Sequence, residues 1–72
     1  MGKDIRVRFA ERLRKLRKQK GWTQEKLAEE AGLAYQHVQR LESLRNPPPA
    51  KIDTLDKLAK AFGITPSKLL KF

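Results

Sequence analysis

Glycines and prolines in this chain fall only where helical-period segments stop. Glycines stand at 2, 21, 32 and 63, and prolines at 47, 48, 49 and 66. Between these breakers the apolar residues recur three and four positions apart, and no stretch alternates long enough for a strand. The pattern restricts the chain to short helices joined by tight turns. With 72 residues and no cysteine, neither a disulfide nor a thiolate metal site is there to support the core. The packing must be local and dense instead. One all-α domain of five helices over residues 1–72 is the expectation.

The first helix is read over about 4–20, with Ile5, Phe9, Leu13 and Leu16 on one side and Ala10 beside them. Asp4–Arg8 and Glu11–Lys15 are favourable i,i+4 pairs. Gly21 is the natural stop, and Lys18 and Lys20 suit the negative end of the helix dipole. Trp22 reads as core, with stacking on nucleic acid as a second role.

The second helix covers about 24–31. Thr23 is its cap, Glu25 lies in the first turn, and Leu27, Ala28 and Ala31 face inward. Gly32 makes the turn and Leu33 plugs it. The third helix is read over about 35–44, with Val38, Leu41 and Leu44 apolar. Ala34 stands where a capping Ser or Thr is expected, an omission worth about 1 kcal/mol.

In "SLRNPPPAK" three consecutive prolines forbid helix and stiffen the chain toward polyproline II. Without a PxxP pattern this reads as a rigid loop. The fourth helix spans 52–62, with Ile52, Leu55, Leu58, Ala59 and Phe62 inward and Gly63 as its stop. In the fifth, Thr65 caps, Pro66 takes the first position, and Leu69 and Leu70 pack. Phe72 reads as a core plug, a contact with another subunit, or the cut edge of a longer chain.

Charge narrows the function. Lysine and arginine total 17 against 8 acids, net +9. Residues 1–20 carry nine bases and two acids, +7; residues 21–50 sum to −1 and residues 51–72 to +3. Such a balance suits a polyanion, either nucleic acid or an anionic membrane surface. Arg and Lys are spread around the first helix rather than set opposite a broad apolar face, which weakens the membrane version. No apolar run approaches the roughly 20 residues of a membrane span, and "MGKDIRVRFA" lacks the apolar region of a signal peptide. A cytoplasmic, nucleoid-associated protein is expected.

Catalytic groups are scarce. There is one histidine, His37, which reads as a surface or partly packed residue, with a phosphate contact as the residual role. Thr23 and Thr65 have cap duties, and Glu29 and Glu30 diverge around their helix. No phosphate loop, metal cluster or paired acid set appears. An enzyme, a cofactor, a metal and a small-molecule ligand are not expected.

The third helix carries the remaining signal. At about 100° per residue, Val38 and Leu41 share one side. Tyr35, Gln36, Gln39, Arg40 and Ser43 fall on another. Gln pairs with adenine N6 and N7, and Arg with guanine O6 and N7. A face selected only for solubility would more typically carry Glu and Lys.

The stretch "TQEKLAEEAGLAYQHVQRLES" resembles the helix-turn-helix of the phage Cro/repressor type, the Xre family. Shared features are T-Q near a helix start, L-A soon after, A-G at the turn, and V..LE in the second helix. "RNP" and "TLDKLAKAFGITPSKLL" resemble that family's later helices, so the likeness covers roughly 5–70. It implies a five-helix phage-repressor-like domain with its helix-turn-helix at about 23–43.

By that resemblance, Tyr35, Gln36, Gln39 and Arg40 meet base edges in the major groove. Thr23, Gln24, Ser43, Arg45 and Asn46 approach DNA phosphates. Arg17 and Glu42 form a structural ion pair. "PPPAK" is longer than the family's usual link, and Ala34 departs from its usual cap.

The implied function is a sequence-specific double-stranded DNA-binding regulator, a repressor, acting as a homodimer. Its half-sites lie about one helical turn, roughly 34 Å, apart. By analogy the dimer surface is the fifth helix and tail, around Leu69, Leu70 and Phe72. A self-repressing antitoxin and a controller of a restriction system look alike in sequence. The alternative outside this class is an antitoxin or adaptor using the same fold to bind a protein.

Overall fold

The computed structural model describes residues 3–72, which form five helices and no strand. They are α1 (Ile5–Gln19), α2 (Gln24–Ala31), α3 (Tyr35–Leu41), α4 (Ile52–Phe62) and α5 (Pro66–Leu69). The fold is all-α. No helix among the described residues is long and apolar enough to cross a membrane.

The glycines end their helices by one device. After α2, the Gly32 N–H donates to Glu29 O and the Leu33 N–H to Ala28 O. This is the paired Schellman closure, which satisfies two otherwise free helix carbonyls. Gly32 sits at φ 68, and a Cβ there would meet nothing within 4 Å. Backbone conformation, not space, therefore calls for glycine. The same two bonds recur at Gly21–Trp22 and Gly63–Ile64. In each case the apolar residue after the glycine packs against the core.

That core joins Phe9, Ala10 and Leu13 of α1, Leu27, Ala28 and Ala31 of α2, and Val38 and Leu41 of α3. Leu58, Ala59 and Phe62 of α4 and Leu69 of α5 complete it. Leu13, Leu27, Leu41, Leu58 and Leu69 are fully buried, each worth about 1.5–3 kcal/mol relative to exposure. Trp22 stacks on Phe62 with ring centroids 5.7 Å apart, which fixes the α1–α2 turn against α4.

Several expectations fail at helix ends. Ile52 is 85% exposed and Ile5 64% exposed. On α4 the buried stripe centres near Leu58 and Phe62, and Ile52 lies about 90° from it at 100° per residue. Thr54 is buried instead. Leu44 and Leu70 are also exposed. The expected Asp4–Arg8 and Glu11–Lys15 pairs are replaced by Asp4–Arg6 and Lys3–Glu11. Asp4 caps α1 through the Arg6 N–H, which turns its carboxylate toward Arg6.

The third helix ends at Leu41, not at 44. Glu42 turns inward, and the Ser43 hydroxyl accepts from the Arg45 N–H and donates to Arg45 O. Those bonds draw the chain out of the helix. Asn46 then adopts φ 52, a left-handed conformation that asparagine tolerates better than most residues. Pro47 is fully buried, so the proline segment is anchored at its first residue.

At the start of α3, Ala34 has φ −67 and ψ 143 and makes no side-chain cap bond. The backbone already has capping geometry, and only the acceptor is missing. Ala34→Ser is therefore expected to stabilise the domain by about 1 kcal/mol. Urea denaturation with an unchanged slope and a higher midpoint is the readout; an unmoved midpoint would refute it.

Candidate nucleic-acid interface

Helix α3 is held by its two buried residues. Val38 is 0% and Leu41 1% exposed, while Tyr35, Gln36, Gln39 and Arg40 are exposed. Two side chains of this outer face are already paired: Gln39 Nε2 donates to the Tyr35 hydroxyl at 3.0 Å. One amide N–H and the carbonyl oxygen of Gln39 stay free, the pair that a bidentate contact to adenine uses. Gln36 and Arg40 have no side-chain partner among the described residues. His37 is half-buried between the two faces.

The orientation of α3 is set by a polar cluster beneath it. Arg17 Nε lies 2.8 Å from Glu42 Oε2 and 3.1 Å from Oε1. Another Arg17 nitrogen donates to Trp22 O at 2.8 Å. The Glu42 side chain is 1% exposed and that of Arg17 13%. Burying a carboxylate needs such compensation, since removing its partner leaves an uncompensated charge. Gln24 Nε2 donates to Glu42 Oε1 at 3.1 Å. One carboxylate thus ties α1, the start of α2 and the end of α3.

The expected phosphate contacts are partly engaged within the protein. Thr23 Oγ1 accepts from the Lys26 N–H at 3.0 Å, which leaves its hydroxyl proton available. Gln24 has one amide N–H on Glu42 and the rest free. Ser43 both donates to and accepts from Arg45 backbone, so its hydroxyl is committed to the loop. Arg45 and Asn46 are exposed.

Two open grooves flank α3. One, of about 610 Å³, brings Gln24, Gln39, Ser43 and Arg45 together with Arg14 and the Arg17–Glu42 pair. The other, of about 340 Å³, places Arg40 with Arg6, Arg45 and Asn46. The residues lining the second groove include three arginines and no acid. Asp4 holds Arg6 from its side at 3.1 Å, and the hydrogen bond from Arg6 keeps the Asp4 carboxyl below its usual range.

Sequence reasoning had not placed Arg6 or Arg14 near this face. For Arg14 the signal was its i,i+3 spacing from Arg17, which puts both on one side of α1.

The outer side of α2 is different. Lys26 lies 3.0 Å from Glu30 and 3.4 Å from Glu29. These hydrogen bonds, Glu30's first, raise its pKa. With Glu25 this surface carries three acids against one base, so positive charge is concentrated around α3 and α1. No cluster of His, Cys, Asp or Glu able to hold a metal occurs among the described residues.

Comparison with known proteins agrees with this arrangement. The helix-turn-helix family model matches residues 13–69. The chain is 35% identical over 74 residues to control protein C.BamHI of Bacillus amyloliquefaciens, covering all of this chain and 88% of that protein. The crystal structure of the restriction-modification controller protein C.AhdI from Aeromonas hydrophila superposes with a TM-score of 0.81 at 39% identity. That match covers 89% of this chain and 94% of the other. A hypothetical transcription factor, NHTF, from Neisseria gives 0.82 at 34% identity, covering 93% and 75%. With two short helices packed across a glycine turn and the second presenting a polar face, the chain belongs to the helix-turn-helix family of DNA-binding transcription regulators and is not an enzyme.

Proposed function

We propose that this protein is the controller of a restriction–modification system, working in the cytoplasm as a homodimer on double-stranded DNA. The observation that carries this reading is likeness along nearly the whole of both chains to two controller proteins from different genera. In this reading α3 enters the major groove. Gln36, Gln39 and Arg40 read base edges, and Tyr35 both buttresses Gln39 and meets the DNA. Thr23, Gln24, Arg45 and Asn46 take phosphates, with Ser43 holding the loop that carries Arg45. The outer face of α3 has no acid, which supports DNA over a protein partner.

The dimer reading is supported by exposed apolar side chains away from α3. Ile5, Leu70 and Phe72 line an apolar cleft of about 270 Å³ with Pro48 and Pro49, and each is at least 40% exposed. Leu69, expected in that surface, is fully buried and belongs to the core instead. Arg12 donates to the Lys68 and Leu69 carbonyls, and Arg8 to that of Phe72, so the tail is held in place to present Leu70 and Phe72.

Selection of duplexes in vitro tests the reading. A selected site is expected to bind on the order of 10³-fold or more tighter than random DNA at physiological salt. It should be two-fold symmetric and lie beside restriction–modification genes. Equal binding of selected and random duplexes would end the sequence-specific reading. A symmetric site elsewhere in the genome would end only the controller assignment. A monomer in sedimentation, both free and on the duplex, would end the dimer.

A further inference from the structure

We infer that Arg14 of α1 is a DNA phosphate contact, lying outside the helix-turn-helix and completing the groove beside α3. The inference rests on the DNA reading and extends it to a residue which that reading does not include.

Arg14 differs from the other arginines of its helix, which has five. Arg6 is bound to Asp4. Arg8 donates to Phe72 O and lies 5.2 Å over its ring. Arg12 holds the carbonyls at the end of α5, and Arg17 holds Glu42. Arg14 alone makes no side-chain hydrogen bond, ion pair or ring contact among the described residues, although it is half-buried. A guanidinium has five N–H donors in a rigid fork. No buried side-chain nitrogen lacks a partner among the described residues, so the unpartnered Arg14 guanidinium is open to solvent and its donors are free for an acceptor from outside.

Its surroundings define that acceptor. Arg14 opens into the groove of about 610 Å³ that also holds Gln24, Ser43 and Arg45. The one acid there is Glu42, whose oxygens are already taken by Arg17 and Gln24. The groove therefore combines unneutralised positive charge with the spare donors of Gln24. An anion with several strong acceptor oxygens satisfies both, and the guanidinium fork fits a phosphate bidentately. Because Gln39 of the proposed reading face lines the same groove, the anion is a phosphate of the DNA that α3 reads.

Lys15 is the built-in control. It is adjacent in sequence but lines a different cleft, with Arg8, Arg12 and Lys71.

The test measures the binding constant against salt for wild type, Arg14→Ala, Arg14→Gln and Lys15→Ala, on a selected and a random duplex. Arg14→Ala and Arg14→Gln are expected to flatten the slope of log K against log salt by about 0.9 per protomer bound. Both duplexes should lose affinity alike, with melting temperature and preferred sequence unchanged. Lys15→Ala should retain the wild-type slope. A wild-type slope in both Arg14 variants overturns the contact alone. A changed base preference overturns it too, because Arg14 would then touch a base. A wild type that does not distinguish the two duplexes overturns the DNA reading itself.

Discussion

Glu42→Ala is expected to lower folding stability by about 3–5 kcal/mol, the cost of breaking one partner out of a buried ion pair. A domain of 72 residues has roughly 4–11 kcal/mol of stability in all, so this one change removes much of it. Three hydrogen bonds are lost at once, two from Arg17 and one from Gln24, and with them the tie of the end of α3 to α1 and α2. The guanidinium left behind is 13% exposed and keeps only Trp22 O. Urea denaturation of Glu42→Ala, Arg17→Ala and the double variant measures the pair. The double variant should be clearly less damaged than the sum of the singles, because it leaves no orphan charge. A loss under about 1 kcal/mol for Glu42→Ala would instead match an exposed pair and refute the structural role.

That pair also marks where the sequence stops being legible. The stops of α1, α2 and α4 could be read because each depends on one local requirement, a left-handed residue at the turn, which glycine meets. Val38 and Leu41 could be read because helical periodicity places them together whatever they pack against. Arg17–Glu42 could not be derived from spacing across 25 residues, and only the family resemblance suggested it. Ile5 fits a helical stripe by periodicity, yet periodicity does not say how far along a helix the core extends, and Ile52 lies off the stripe that α4 buries. The early end of α3 was hidden for another reason. Ser43 is an acceptable helix residue until its hydroxyl finds the Arg45 backbone, and that choice depends on Glu42 turning inward. Arg14 was obscured by its setting, since one more arginine in a run of bases looks like solvated charge until the neighbours' partners are known.

Arg40→Ala is expected to have the largest effect on recognition. Arg40 is exposed and unpartnered among the described residues, one turn after Gln36 on the outer face of α3. A bidentate contact from arginine to guanine is worth about 1–3 kcal/mol against the wrong base. A homodimer on a symmetric site makes the contact twice, so the preferred duplex should lose about 2–6 kcal/mol. Random duplexes should lose only the effect of one fewer charge per protomer. Arg40→Lys should restore the charge but not the preference, because a lysine ammonium lacks the planar fork. Repeating the duplex selection with Arg40→Ala should relax one base position in each half-site and leave the rest. The comparison with Arg14→Ala makes the result decisive. One arginine is expected to change which sequence is bound at nearly constant salt slope, the other to change the slope at constant sequence. Parallel loss on every duplex in both variants would move Arg40 from the bases to the backbone and shift base reading onto Gln36 and Gln39.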